Sequence, residues 1–405
     1  MGVTFWTDPI GLIDAWLYGV LVGWGLSSEV SRVLLYIVGA FTLATGAMIF
    51  TVFLIWLERK LIGRFQDRFG PNRVGPFGIF QTIADMLKIF TKEFITPDGA
   101  DRIPYNLGPV LAVAGVLLVY AVLPFGINFL GVNLDMGALY VVAAGTIGEL
   151  GIILAGWGSN NKYALLGAFR AIGQLISYEV PMLLTLLIPV MLSGSMGLNT
   201  IVKAQNPWFI IYAPLAGLIF FISLVAENAR APFDLVEADS ELVAGFNIEY
   251  SGLKFGMFYV AEFLHAFTNS VLFAVLFLGG WQGPGAETYP WLGLLYTILK
   301  TSVVFFAILT LRAGLPRFRI DQVMDINWKL LTPFSMAILV VTAVVDKSLM
   351  QSSMTGRILG LLAANLVLLL VALRFLRNYA QKRRRPLVVP TASIVLPDRI
   401  DEVLS

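Results

Sequence analysis

The sequence predicts an all-α polytopic membrane protein of about nine transmembrane helices, with an N-terminal interfacial helix and large cytoplasmic loops. Three observations carry that expectation. Of 405 residues, 58% are hydrophobic and 13% charged, whereas soluble domains carry about 25% charged residues. The apolar residues form runs long enough to cross a bilayer core, which takes about 20 residues of helix. Lys and Arg gather in alternate connecting segments, as they do in cytoplasmic loops.

Taken in order, the expected spans cover 33–57, 107–127, 138–157, 171–192, 208–226, 256–279, 292–311, 331–350 and 358–376. Before the first lies an apolar stretch, 9–26, broken by Asp14 and several glycines, which suits the membrane interface. Segments 58–105, 158–170, 227–254, 312–330 and the chain after 373 hold 23 of the 28 Lys and Arg. The opposite segments hold Arg32, Lys203, Lys347 and Arg357, and Lys300 falls inside a span. The bias puts the C-terminus and the 227–254 segment in the cytoplasm, and nine crossings agree with it. Three regions follow: an apolar segment 1–31, a transmembrane domain 32–380, and a basic tail 381–405. In the tail, QKRRRP reads as a topology anchor on an anionic leaflet.

Several chemistries are excluded. The chain has no Cys, so it holds no disulfide, thiolate metal site or iron–sulfur cluster. A single histidine, His265, excludes a bis-His haem or a multi-His metal site. No G-x-G-x-x-G or Walker A pattern occurs. Electron or nucleotide chemistry would have to come from a partner. A net charge of +2 says little by itself.

The stretch ENARAPFDLVEADSELVAGFNIE, 227–249, is the strongest anomaly. It places Glu227, Asp234, Glu237, Asp239, Glu241 and Glu249 around a single cation, Arg230. Asp234 with Glu237, and Glu237 with Glu241, share a helix face, where like charges destabilise a helix. Helix stability is therefore not their purpose. A solvated acidic loop is one reading. The cluster runs directly into apolar sequence, however, and crowded carboxylates beside apolar surface favour retention of a proton. Proton handling is the second reading.

Three other cytoplasmic segments stand out. ERKLIGRFQDRFGPNRVGPFG, 58–78, carries Arg59, Lys60, Arg64, Arg68 and Arg73 before two Gly-Pro steps. It reads either as a positive-inside loop or as a basic mouth for a partner or an entering amphiphile. FQTIADMLKIFTKEF, 80–94, reads as an amphipathic surface helix with an Asp85–Lys88 pair. LRAGLPRFRIDQVMDINWK, 311–329, alternates Arg312, Arg317, Arg319 and Lys329 with Asp321 and Asp325, as local ion pairs would.

Charges within the spans weigh more. Glu149 lies in AAGTIGELGIILAG, Glu179 in AIGQLISYEVPML, Glu262 in FYVAEFLHAF, and Lys300 in the seventh span. A charge at mid-membrane costs roughly 2.5–3.5 kcal/mol even on the lenient insertion scale, and such residues mark ion or proton paths. A single protonated Glu making one interhelical hydrogen bond is the alternative, and it weakens for three acids on three spans. Pro181 leaves the Ser177 carbonyl without its helical donor, which makes a place for water beside Glu179. His265, one turn after Glu262, suits either a packed polar residue or a proton shuttle.

Five motifs in order, LERKLIGRFQDRFGPNRVGPFG, NNKYALLGAFRAIGQLISYE, AENARAPFDLVEADSELVAGFNIEY, AEF…LFLGGW and LPRFRIDQVMDINWK, resemble the H-subunit family of respiratory NADH–quinone oxidoreductases. Its mitochondrial counterpart is the first of the NADH dehydrogenase membrane subunits of complex I. The resemblance covers roughly 35–380. It implies a membrane subunit that forms the quinone chamber with peripheral-arm subunits and adjoins other membrane-arm subunits in the inner membrane. The chain itself would hold no cofactor: quinone would be the substrate, FMN and iron–sulfur clusters would sit in partner subunits, and no nucleic acid is implied. Carried over, Glu58, Arg59, Arg68, Asp85 and Lys88 would line the chamber or its entrance, flanked by Arg312, Arg317 and Arg319. Glu179, Glu227, Arg230, Asp234, Glu237, Asp239, Glu241, Glu249 and Glu262 would couple quinone reduction to proton translocation; Glu149 joins them on burial. His265 stands where an Asn-like residue is expected, and AEN replaces the commoner AET.

Two other readings compete. Related hydrogenases and ferredoxin-linked complexes use an equivalent subunit, but the intact GPNRVGP fits the NADH–quinone branch. A stand-alone ion transporter would not need such large charged loops. A purely structural anchor would have no use for acids within its spans.

Overall fold

The computed structural model describes residues 8–234, 244–351 and 353–383. Among these every regular element is a helix. Eight helical stretches are long and apolar enough to cross a membrane. They are α2 (Ser28–Phe65), α4 (Arg102–Tyr120), α5 (Gly137–Gly158), α6 (Lys162–Ser193), α10 (Gly252–Phe277), α11 (Pro290–Gly314), the stretch Ile320–Ser348, and α14 (Met354–Arg383). The Ile320–Ser348 stretch is α12 (Ile320–Ile326), a π-turn over Asn327–Leu331, and α13 (Thr332–Ser348). Shorter helices are α1 (Pro9–Gly23), α3 (Gln81–Thr91), α7 (Leu198–Ala204), α8 (Phe209–Tyr212) and α9 (Pro214–Glu227).

Local chemistry sets several of these ends. Asp8 caps α1 by accepting from the Gly11 N–H at 3.0 Å, with Pro9 in the first turn. At 15 residues α1 is about 22 Å long, short of the roughly 30 Å hydrocarbon core. Ser27 caps α2. Its 38 residues make it about 57 Å long, so it outruns the bilayer and carries Glu58 to Arg64 beyond it. Outward-facing Ile37, Phe41 and Ile49 match a lipid-facing surface. The expected fifth span, 208–226, is not continuous. Pro214 has no N–H and holds Ala213 away from the helical region, so α8 stops and α9 restarts.

The core forms around α10, which packs against α4, α11, α2 and α9. α4 and α5 meet backbone to backbone. A Cβ at Gly115 would fall 2.5 Å from the Gly148 nitrogen, and one at Gly151 would fall 2.7 Å from the Ala112 nitrogen. Small residues at these crossings are the device that lets membrane helices approach closely.

Lys300, a charge within a span, and the Ser177 carbonyl, expected to make a place for water, both take protein partners. Lys300 donates to the carbonyls of Gly280 (2.9 Å) and Gln282 (2.8 Å) and lies 4.9 Å from the Trp208 ring centre. Its charge thus closes the turn after α10. The Ser177 carbonyl freed by Pro181 is also not left to water. Asn327 Nδ2, from the π-turn, donates to it at 2.6 Å. Tyr178 donates to the Val323 carbonyl at 2.9 Å alongside.

Candidate functional site: a buried charge chain and an acid-lined cavity

The site begins where α2 leaves the bilayer. Glu58 is buried, 3% exposed, and accepts from two arginines far along the chain. Arg230 Nη1 reaches one oxygen at 2.6 Å, and Arg312 Nη1 reaches the other. Arg230 is 1% exposed; its Nε lies 3.3 Å from Glu262 Oε1, and its guanidinium stands 4.6 Å from the Phe263 ring centre. Burial works against the Arg230 charge, but the carboxylates of Glu58 and Glu262 outweigh it and hold its proton more tightly than in an ordinary arginine. Two acids and two bases thus neutralise one another in a compact group. Arg230 Nη2 still has no hydrogen-bond partner among the described residues.

Around this group lie shallower pairs. Arg59 meets Asp85 of α3 at 2.5 Å, and Lys88 approaches the same carboxylate at 3.9 Å. Asp234 meets Arg317 at 2.6 Å. Arg68 is exposed and pairs only with Gln66, 2.7 Å away, among the described residues. Arg319 is exposed at the start of α12.

Deeper in, a cavity of about 130 Å³ opens between α4, α5, α6, α10 and the chain after α9. That volume holds about four waters at liquid density. Glu149, Glu227, Glu262 and His265 line it, with Asn228 and Asn247. Glu227 Oε2, Asn228 Nδ2 and Asn247 Oδ1 are buried without hydrogen-bond partners among the described residues. Buried polar atoms are normally satisfied by protein or water, so the cavity is built for water or another polar guest. Glu179 of α6 stands outside the lining. Asn228 Oδ1 accepts from Asn269 Nδ2 at 3.0 Å, which gives the unusual AEN step a polar partner.

Glu262 belongs to both groups, since it lines the cavity and pairs with Arg230. Of the sequence-expected residues, Glu58, Arg230, Arg312 and Glu262 form one contact chain, and Glu262 shares the cavity lining with Glu227 and Glu149, while Glu179 lies outside both. Glu249 stands apart. Its carboxylate accepts from Asn161 Nδ2 at 2.7 Å and its carbonyl accepts from the Tyr105 hydroxyl at 2.7 Å. Tyr250 beside it stacks on Tyr105 at 4.3 Å, and burial pushes its phenol up. These contacts fasten the 244–251 loop. Glu237, Asp239 and Glu241 lie outside the described residues.

Sequence reasoning missed Asn228 and Asn247 as lining residues, and the role of Gly145 and Gly148. A Cβ at Gly145 would meet nothing within 4 Å, and one at Gly148 only the Ala112 carbonyl at 3.7 Å, so these positions open into free space. The signal was present in GTIGE, where glycines stand four residues and one residue before Glu149.

Fold and site together define a polytopic α-helical membrane protein with a charge chain leading from one membrane surface to an acid-lined cavity. A family model described as NADH dehydrogenase matches residues 38–343. The H subunit of a NADH-quinone oxidoreductase from Dehalococcoides mccartyi strain CBDB1 is 50% identical over 289 residues, covering 71% of this chain and 80% of that protein. H subunit 2 of the Geobacter sulfurreducens enzyme is 45% identical over 300 residues, 72% of this chain and 90% of that protein. The H subunit of the Geobacillus kaustophilus enzyme is 44% identical over 337 residues, 82% and 98% respectively. The chain belongs to the H-subunit family of NADH–quinone oxidoreductase, complex I.

Proposed function

We propose that this chain is the membrane subunit of a proton-pumping NADH–quinone oxidoreductase that forms part of the quinone chamber and couples quinone reduction to proton translocation. The observation that carries this reading is the contact chain Glu58–Arg230–Glu262, whose last member lines the cavity with Glu227 and Glu149. Quinone is the substrate, and peripheral-arm partners supply FMN, iron–sulfur clusters and electrons; other membrane-arm subunits adjoin. Glu58, Arg59, Arg68, Asp85 and Lys88 serve the chamber and its entrance, with Arg312, Arg317 and Arg319 at its flank. A change of charge in the chamber alters the balance on Glu58 and Arg230. Arg230 then releases or holds Glu262 more tightly, and the cavity acids redistribute protons among themselves and Glu179. Low local dielectric makes each step strong, since nearby charges are poorly screened. The acidic segment and the C-terminus face the cytoplasm of an inner membrane, as the Lys and Arg distribution requires.

Replacing Glu179 with Gln in the assembled complex tests this. Quinone reduction and proton movement are expected to fall by at least about tenfold, a loss of roughly 1.4 kcal/mol. NADH oxidation by an artificial acceptor, which needs only the peripheral arm, is expected to persist. Unchanged quinone reduction and pumping would contradict the role.

A further inference from the structure

The cavity contains one basic side chain. α10 sets Glu262 and His265 three residues apart, so both face the same space. His265 Nε2 lies 3.5 Å from Glu227 Oε1. No other ion pair or hydrogen bond reaches the Glu227 carboxyl among the described residues, and its Oε2 is buried and unpartnered. The other titratable groups lining the cavity are Glu149 from α5 and Glu262 and Tyr259 from α10, and Glu179 of α6 lies outside the lining. Glu262 is already engaged by Arg230. α4 offers only Ala112 and Val116. Among the described lining residues the imidazole is thus the sole group able to balance the cavity carboxylates from inside.

We infer that His265 and Glu227 hold one proton in common, which makes His265 a positioning and proton-holding residue of the coupling site. The inference rests on the function proposed above. In one state a Glu227 carboxylate faces an imidazolium; in the other a neutral carboxyl faces a neutral imidazole. Passage between them breaks the Nε2–H bond and forms the Oε1–H bond, so the pair's proton count is constant. Exchange with water in the cavity changes that count by one. Histidine ordinarily exchanges its proton between about pH 5 and 8, and a close pair titrates as a unit rather than as two separate groups. The imidazole therefore stands as the proton partner of the Glu227 carboxyl inside the cavity.

The test uses the assembled membrane complex with His265→Asn, His265→Gln and Glu227→Gln. NADH–quinone turnover and proton movement are followed in native vesicles from about pH 5.5 to 9. Both histidine variants are expected to assemble in normal amounts, retain turnover in part of the range, and move the midpoint of the pH profile by about one unit or more. Adding either to Glu227→Gln should produce no further shift. An unmoved profile in both histidine variants, with turnover lost in Glu227→Gln, would overturn the inference and leave the coupling reading standing. Loss of assembly in both would also overturn it, since His265 would then only pack. Full turnover and pumping in Glu227→Gln would remove the coupling reading itself.

Discussion

Arg230 is the residue on which the most contacts of the site converge. It is almost fully buried and contacts both Glu58 and Glu262. Removing one partner of a buried ion pair costs about 3–5 kcal/mol, because the remaining charge is stranded. Arg230→Met is therefore expected to lower the yield and thermal midpoint of the assembled protein sharply. Arg68→Ala, at an exposed position, should fall within about 0.5 kcal/mol of the parent. Equal thermal midpoints for the two variants would show that Arg230 is not the hub. The cation itself was legible in the sequence, alone among six acids. Its partners were not, because Glu58 lies 172 residues away and only tertiary packing brings it near.

At the scale of helices, hydrophobic run length revealed most of the architecture, since the bilayer imposes one dominant requirement. The departures occur where proline acts. Pro214 splits the fifth segment into α8 and α9, and Pro181 frees the Ser177 carbonyl inside α6. Sequence showed the missing donor but not its replacement, because Asn327 arrives from a π-turn 150 residues away. Asn327→Leu should destabilise by about 1–3 kcal/mol, the cost of an unsatisfied buried carbonyl. Pro181→Ala restores a backbone donor for Ser177, so the Asn327 substitution should cost roughly 1 kcal/mol less in that background. Thermal unfolding of the four proteins in mild detergent measures the coupling; strict additivity would break the link between the two residues. The α4–α5 pair gives a second check. Gly151→Leu drives a side chain into the Ala112 backbone and should prevent accumulation of the protein in membranes. Normal accumulation would mean that the two helices do not approach so closely.

Over the whole molecule, the sidedness of the charged segments determines which end of the cavity meets which surface. The natural absence of cysteine makes this measurable with single introduced cysteines and an impermeant thiol reagent. Asn72→Cys and Asn378→Cys should label from the cytoplasmic side, and Asp135→Cys and Thr288→Cys from the other; the reverse pattern would invert the topology. Composition made the membrane helices legible, loop charge predicts their sidedness, and two acids within the spans, Glu149 and Glu262, line the cavity. The cavity itself was not legible, because its space comes from Gly145 and Gly148 on α5 opposite α10, a juxtaposition with no local signature. The acids around this cavity are proposed to link quinone chemistry to proton movement. The most direct test of that link is the number of protons moved per NADH oxidised by vesicles carrying Glu149→Gln, with assembly confirmed. Quinone reduction and pumping falling together, by about tenfold or more, is the predicted result. A normal rate with a normal proton yield would contradict it.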